Sequence, residues 1–140
     1  MKKILIINAN YYKNISKKLV LSSKKKLDNS VKVSIINVPG IYEIPIAIRK
    51  NIKKFDGFIA LGCVIKGQTP HFDFISQAST QAIMNLSIES KKPIGNGIIT
   101  CLNMKQAKAR KKKGSEAANA IISILSQKWK VYLDQKIILE

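Results

Sequence analysis

Four short apolar runs, each followed by residues at helical spacing, restrict this chain to few folds. The runs cover residues 4–7, 31–38, 58–65 and 94–100. The first is continuous and β-branched, the composition of a parallel strand buried on both faces. After it, Ile15, Leu19, Ser23 and Leu27 form a helical stripe with lysines opposite, and Asp28-Asn29 predicts a turn. Pro39-Gly40 breaks the second run. Ile44, Ala47, Ile48 and Ile52 then resume helical spacing, with Pro45 tolerated in the first turn.

The third run leads into Thr69-Pro70, an N-cap residue followed by a proline suited to the first helical position. A helix is therefore expected from Pro70 to about Ser90, with Ile75, Ala78, Ala82 and Leu86 facing inward and Lys91-Lys92-Pro93 closing it. A short helix follows the fourth run at residues 104–109. The last helix begins at Ser115, with Ala117, Ala118, Ala120, Ile121, Ile122, Ile124 and Leu125 spread over more than one face. Such width predicts burial by a second subunit as well as by the sheet. Strand and helix alternating at this spacing predict a doubly wound parallel α/β sheet with right-handed crossovers. Ligands bind such sheets beyond the carboxyl ends of the strands, which directs attention to residues 9–14, 39–43, 63–73 and 96–101.

Length adds a bound: 140 residues suit one domain, 1–140, burying roughly two-thirds of its unfolded surface. No run reaches the roughly 18 to 20 apolar residues of a membrane span, and the start, MKKILIINANYY, reads as a strand rather than a signal peptide. Cys63 and Cys101 lie in apolar runs without metal-ligand spacing, as buried thiols in a reducing compartment do. A cytoplasmic protein without a bound metal is expected. The net charge of +17 suggests nucleic acid or an acidic surface as partner. Against it, only Arg49 and Arg110 of the 25 basic residues are arginines, the residue that reads phosphates and bases with a bidentate fork. The lysines occupy every polar segment, a pattern that codon bias also produces in a chain rich in Ile and Asn. Nucleic acid is expected to bind non-specifically, if at all.

The strand-end loops hold the candidate chemistry. In GQTPHFD, residues 67–73, glycine permits close backbone approach and the helix start offers N–H groups to a phosphate or carboxylate. Thr69 either caps that helix or binds the anion. Asp73 suits the helix dipole. His71, the only histidine, lies near the strand-end surface, and the ordinary histidine pKa of about 6.5 suits proton transfer, although a lone histidine is more often structural. Glu43 either accepts from a polyol or opens a helix. Tyr11 either stacks on a flat heterocycle or packs beneath its loop. Arg110 suits a phosphate or a solvated basic turn with Lys111, Lys112 and Lys113.

Together VPGIYEIPIA (38–47), ALGCVIKGQTPHFDFIS (60–76) and KGSEAANA (113–120) resemble the lumazine synthase family over nearly the whole chain. The resemblance implies a flavodoxin-like three-layer sandwich with a four-stranded parallel sheet, and homopentamers whose active sites lie between neighbours. It implies a transferase of riboflavin biosynthesis that condenses a ribitylamino-pyrimidinedione with 3,4-dihydroxy-2-butanone 4-phosphate. By the same resemblance Tyr11 stacks on the pyrimidine, although Tyr12 stands where many relatives have Asn. Ile41, Tyr42 and Glu43 hold the ribityl chain, and the backbone of Cys63, Val64 and Ile65 meets the pyrimidine edge. Gln68 and Thr69 bind phosphate, and His71 shuttles protons. Asn96 falls where relatives carry a Phe that packs from the adjacent subunit. Arg110 matches the phosphate arginine counted from Gln106-Ala107, and a lesser basic residue counted back from Lys113-Gly114. No cofactor is implied.

Two other readings stay open on sequence alone: a basic RNA-binding protein, and a catalytically silent oligomer that holds a flavin-like ligand. Assembly size is open between pentamer, decamer and a shell of sixty. Self-repulsion among chains of +17 favours the smaller assemblies.

Overall fold

The computed structural model describes residues 1–68 and 70–126, together with the backbone of 132–133 and 136–137. Its centre is a four-stranded, all-parallel sheet in the order β2-β1-β3-β4, built from β1 (Lys2–Ala9), β2 (Val31–Val38), β3 (Gly57–Ile65) and β4 (Ile94–Cys101). The two inner strands carry the continuous apolar runs. Residues 4–9 of β1 and 57–64 of β3 are buried throughout, as a strand covered on both faces must be.

The chain moves from β1 to β2 on one side, then crosses back past β1 to β3 and on to β4. Right-handed crossovers in opposite directions place helices on opposite faces. Thus α1 (Lys13–Lys26) covers one face, while α2 (Ile44–Lys50) and α3 (His71–Ser90) cover the other. After β4 the chain returns to the α1 face as α4 (Met104–Ala109) and α5 (Lys113–Ser126). Residues 132–133 and 136–137 pair as two short antiparallel strands.

Each layer has its own core. Ile15 and Leu19 of α1, Ala107 of α4, and Ala117, Ala118 and Ile121 of α5 pack on Ile4, Ile6, Ile59 and Leu61. Ile44 and Ile48 of α2 with Ile75 and Ile83 of α3 pack on Leu5, Ile7, Phe58 and Ala60. The α1–α5 contact needs glycine: a Cβ on Gly114 would collide with the Leu19 carbonyl oxygen. Ser23 is part of the predicted α1 stripe because its hydroxyl donates to the Gly114 carbonyl oxygen at 2.7 Å, which satisfies a buried polar atom. Across the sheet, the Lys92 ammonium donates to the carbonyl oxygens of Ile52 at 2.5 Å and Phe55 at 2.8 Å, tying the turn after α2 to the end of α3.

The predicted inner stripe of α3 needs correction. Ile75, Ser79 and Ile83 are buried and Leu86 packs beside them, whereas Ala78 is exposed and Ala82 only half-buried. The helix is rotated so that its large aliphatic side chains, which gain most from burial, face the sheet in place of alanine methyls. Thr69, the expected cap, lies outside the described residues. Pro70 occupies the cap position of α3. At the other end Lys91 takes the left-handed conformation, φ 59°, that ends the helix before Pro93.

Candidate active site

The reversal of strand order opens a crevice between the carboxyl ends of β1 and β3, the position where doubly wound sheets receive ligands. Tyr11 follows β1 with Asn10 between them, and Cys63, Val64 and Ile65 are the last residues of β3. The 3-10 turn Ile41–Glu43 after β2 is drawn over the crevice by Ile41, which is buried against β3. Gly62 makes that seating possible, because a Cβ there would overlap the Ile41 side chain. His71 enters from the first residue of α3. These segments enclose a cavity of about 290 Å³, whose wall includes Tyr11, Tyr42, Glu43, Cys63 and His71.

The cavity combines aromatic walls with few polar groups. Tyr11 and Tyr12 meet at 4.9 Å between ring centroids with planes 73° apart. Tyr42 and His71 meet edge-on at 5.9 Å and 72°. Tyr11 is 75% exposed, so one of its faces is free to stack on a flat ligand. The Glu43 carboxylate lies against Gly40, where its Oε1 would stand 3.3 Å from an added Cβ. Burial pushes the Cys63 thiol up to about 12, with Cys101 beside it adding to the shift. Cys63 therefore contributes a neutral thiol and its backbone, not a nucleophilic thiolate.

Within one chain the structure brings Tyr11, Ile41, Tyr42, Glu43, Cys63, Val64, Ile65 and His71 together. Gln68 is exposed in the turn before α3, outside the wall of the cavity. Thr69, its expected partner on a phosphate, lies outside the described residues. Asn96 is in register with Ala60, short of the strand ends, and its Oδ1 accepts from the Ile98 N–H at 3.0 Å. Arg110 caps α4, and its Nη1 donates to the Thr100 carbonyl oxygen at 2.9 Å. It lines a separate cleft of about 490 Å³ beside β4, with Lys112, Lys113 and Glu116. Asn96 and Arg110 are thus not part of the same chain's cavity.

Three wall residues were given no role in the site by the sequence reading: Tyr12, Gly40 and Ile75. Ile75 carried a signal, since it lies one helical turn from His71 and shares its face. Tyr12 carried one as well, being the second aromatic at the end of β1. Gly40 contributes backbone, which residue type alone does not reveal.

Comparison with known proteins identifies the family. The family model described as 6,7-dimethyl-8-ribityllumazine synthase matches residues 1–128. A protein of that name from Bartonella bacilliformis is 42% identical over 135 residues, 89% of this chain and 89% of the relative. Another from Agrobacterium fabrum is 38% identical over 141 residues, 91% of this chain and 95% of its own length. A third, from Afipia carboxidovorans, is 38% identical over 142 residues, covering 92% of this chain and 87% of the relative.

Proposed function

The chain belongs to the 6,7-dimethyl-8-ribityllumazine synthase family, and on that premise we propose that the crevice between β1 and β3 is its active site. The observation that carries the assignment is the convergence of Tyr11, Glu43, the end of β3 and His71 on one cavity at the strand-order reversal. The reaction condenses 5-amino-6-(D-ribitylamino)uracil with 3,4-dihydroxy-2-butanone 4-phosphate to give 6,7-dimethyl-8-ribityllumazine. It is a transferase reaction of riboflavin biosynthesis.

The pyrimidine stacks on Tyr11 with its polar edge toward the backbone of Cys63, Val64 and Ile65. The ribityl chain runs along Ile41 and Tyr42, with its hydroxyls donating to Glu43. The phosphate of the second substrate sits at Gln68 and Thr69, where the start of α3 presents N–H groups to an anion. The pyrimidine's amine then attacks the ketone and water leaves to form an imine. Elimination expels inorganic phosphate, and attack by the ribitylamino nitrogen closes the second ring with loss of another water. His71 accepts and returns the protons exchanged in these steps. Holding both substrates against the same wall removes much of the entropic barrier to their meeting.

A cavity of about 290 Å³ is at the small end for a ligand site, and two substrates fill more than that. A neighbouring copy supplies the remainder, including Asn96 as a polar wall and Arg110 for the phosphate. Supporting this, the α2–α3 layer leaves Ile46, Phe74, Met84 and Ile88 exposed, and large apolar surface of that kind marks an interface. The assembly is a homopentamer, or built from pentamers. No helix among the described residues is long and apolar enough to cross a membrane, and the reducing environment suited to two free buried thiols is the cytoplasm. Incubating the purified protein with both substrates and following the lumazine spectrum tests the reading. Product is expected together with one phosphate released per turnover, and absence of product overturns it.

A further inference from the structure

Tyr12 has no role in the proposed reaction, yet it is the better anchored of the two tyrosines at the end of β1. It forms the N-cap of α1, and its carbonyl oxygen accepts the Ser16 N–H at 3.0 Å. Ser16 is itself buried, its hydroxyl donating to the Ala9 carbonyl oxygen at 2.7 Å. The backbone at Tyr12 is therefore held to both the helix and the strand. Its ring packs against the core formed by Ile15, Cys63 and Cys101, whereas the Tyr11 ring stands in solvent.

The two rings, 73° apart, enclose a corner. A flat ring stacked on one plane is met nearly at right angles by the other. The cavity wall places Tyr12 beside the end of β3. Burial raises the pKa of the phenol, with Tyr11 and Cys63 acting in the same direction, and Tyr12 lines the same cavity wall as Cys63. Cys63 belongs to the cavity wall at the end of β3, the edge against which the pyrimidine's carbonyl and ring N–H groups are placed. A phenol held neutral can both donate to a carbonyl and accept from a ring N–H.

We propose that Tyr12 is a positioning and specificity-determining residue for the pyrimidinedione, closing the aromatic corner with Tyr11 and hydrogen-bonding the heterocycle's polar edge beside Cys63. The inference rests on the proposed active site. It differs from simple stacking in requiring the hydroxyl. Tyr12 also selects against flat ligands of similar size that lack a polar edge, because burying its hydroxyl without a partner is costly.

Steady-state kinetics of Tyr12→Phe and Tyr12→Leu, with each substrate varied in turn, test the proposal. Tyr12→Phe keeps the ring and is expected to raise KM for the pyrimidine about 5-fold, the worth of one neutral hydrogen bond. Tyr12→Leu loses the wall as well and is expected to raise it about 30-fold. In both variants KM for the four-carbon phosphate stays within about 2-fold, a split that a packing defect does not produce. Unchanged pyrimidine KM in Tyr12→Phe, or equal rises for both substrates, overturns the proposal. Should Tyr12→Leu fail to fold, Tyr12→Phe decides alone. Equilibrium titration of the pyrimidine, followed by quenching of protein fluorescence, measures the same loss of affinity without turnover. Failure of the wild type to make lumazine would therefore be distinguishable from failure of Tyr12 to bind the heterocycle.

Discussion

The two helical layers cover the same sheet in different ways. On one face α1 and α5 meet closely enough that Gly114 has no room for a Cβ, and Ser22 and Ser23 bond across the contact. On the other face α3 seals only its inner side, leaving Phe74 at 63% and Ile88 at 67% exposed. The helices of the first layer interlock through their backbones, although Leu21, Met104 and Ile124 remain exposed on its outer side. The second leaves large apolar side chains exposed on α3, and it also supplies His71 and the turn formed by Ile41, Tyr42 and Glu43. The tight helix–helix contact lies in one layer, and the proposed proton transfer and α3 interface lie in the other.

The contrast can be broken most sharply at Gly114. Gly114→Ala should cost about 3 kcal/mol through backbone displacement, read as a lowered midpoint in urea. A loss below about 0.5 kcal/mol would show that the α1–α5 contact is loose. In the other layer His71→Ala should slow turnover about 10²-fold at unchanged thermal stability, and an unchanged rate would remove His71 from proton transfer. Charging the outer face of α3 with Phe74→Glu and Ile88→Glu should dissociate the assembly, each change forfeiting about 2 kcal/mol of apolar burial per interface. The control Leu21→Glu, on the exposed side of α1, should leave the sedimentation coefficient unchanged. Dissociation by both would end the distinction between the layers.

Smaller effects sharpen it. Ser23→Ala should cost about 1 kcal/mol, because the buried Gly114 carbonyl oxygen loses its side-chain donor. Hydrogen-exchange protection should then fall in α1 and α5 before α3. Cys63 reports on the join between the layers. Its folded pKa of about 12 lies above the ordinary value of 9.0, so the folded protein binds the proton more tightly than the unfolded chain does. Its contribution is complete below pH 9 and is lost as pH rises toward 12. Cys63→Val should flatten that part of the stability profile, and an unaltered profile would show that another group sets it.

Much of the architecture was legible in local pattern. β2 spans residues 31–38 and α4 residues 104–109, as their spacing predicts. The two buried cysteines and the breadth of apolar surface on α5, with Ala120 and Ile124 left exposed, follow the same reading. Spacing misled on α3, where two alanines fitted the helical period but offered little area to bury. It also gave no role to Tyr12, whose part in the wall depends on how α1 meets the end of β3.

What the sequence determined by itself was the series of strands and helices, the strand-end location of the candidate chemistry, and family membership through motifs such as GQTPHFD. These depend on periodicity, turn residues and local composition, which act over a few residues. Only the tertiary structure decided which of those residues share a cavity. It joined Tyr11, Glu43 and His71 across three separate connections, added Tyr12, and left Asn96 and Arg110 elsewhere in the chain. The reason is the crossover order β2-β1-β3-β4: it decides which loops become neighbours, and strand and helix periodicity within each segment carry no information about it.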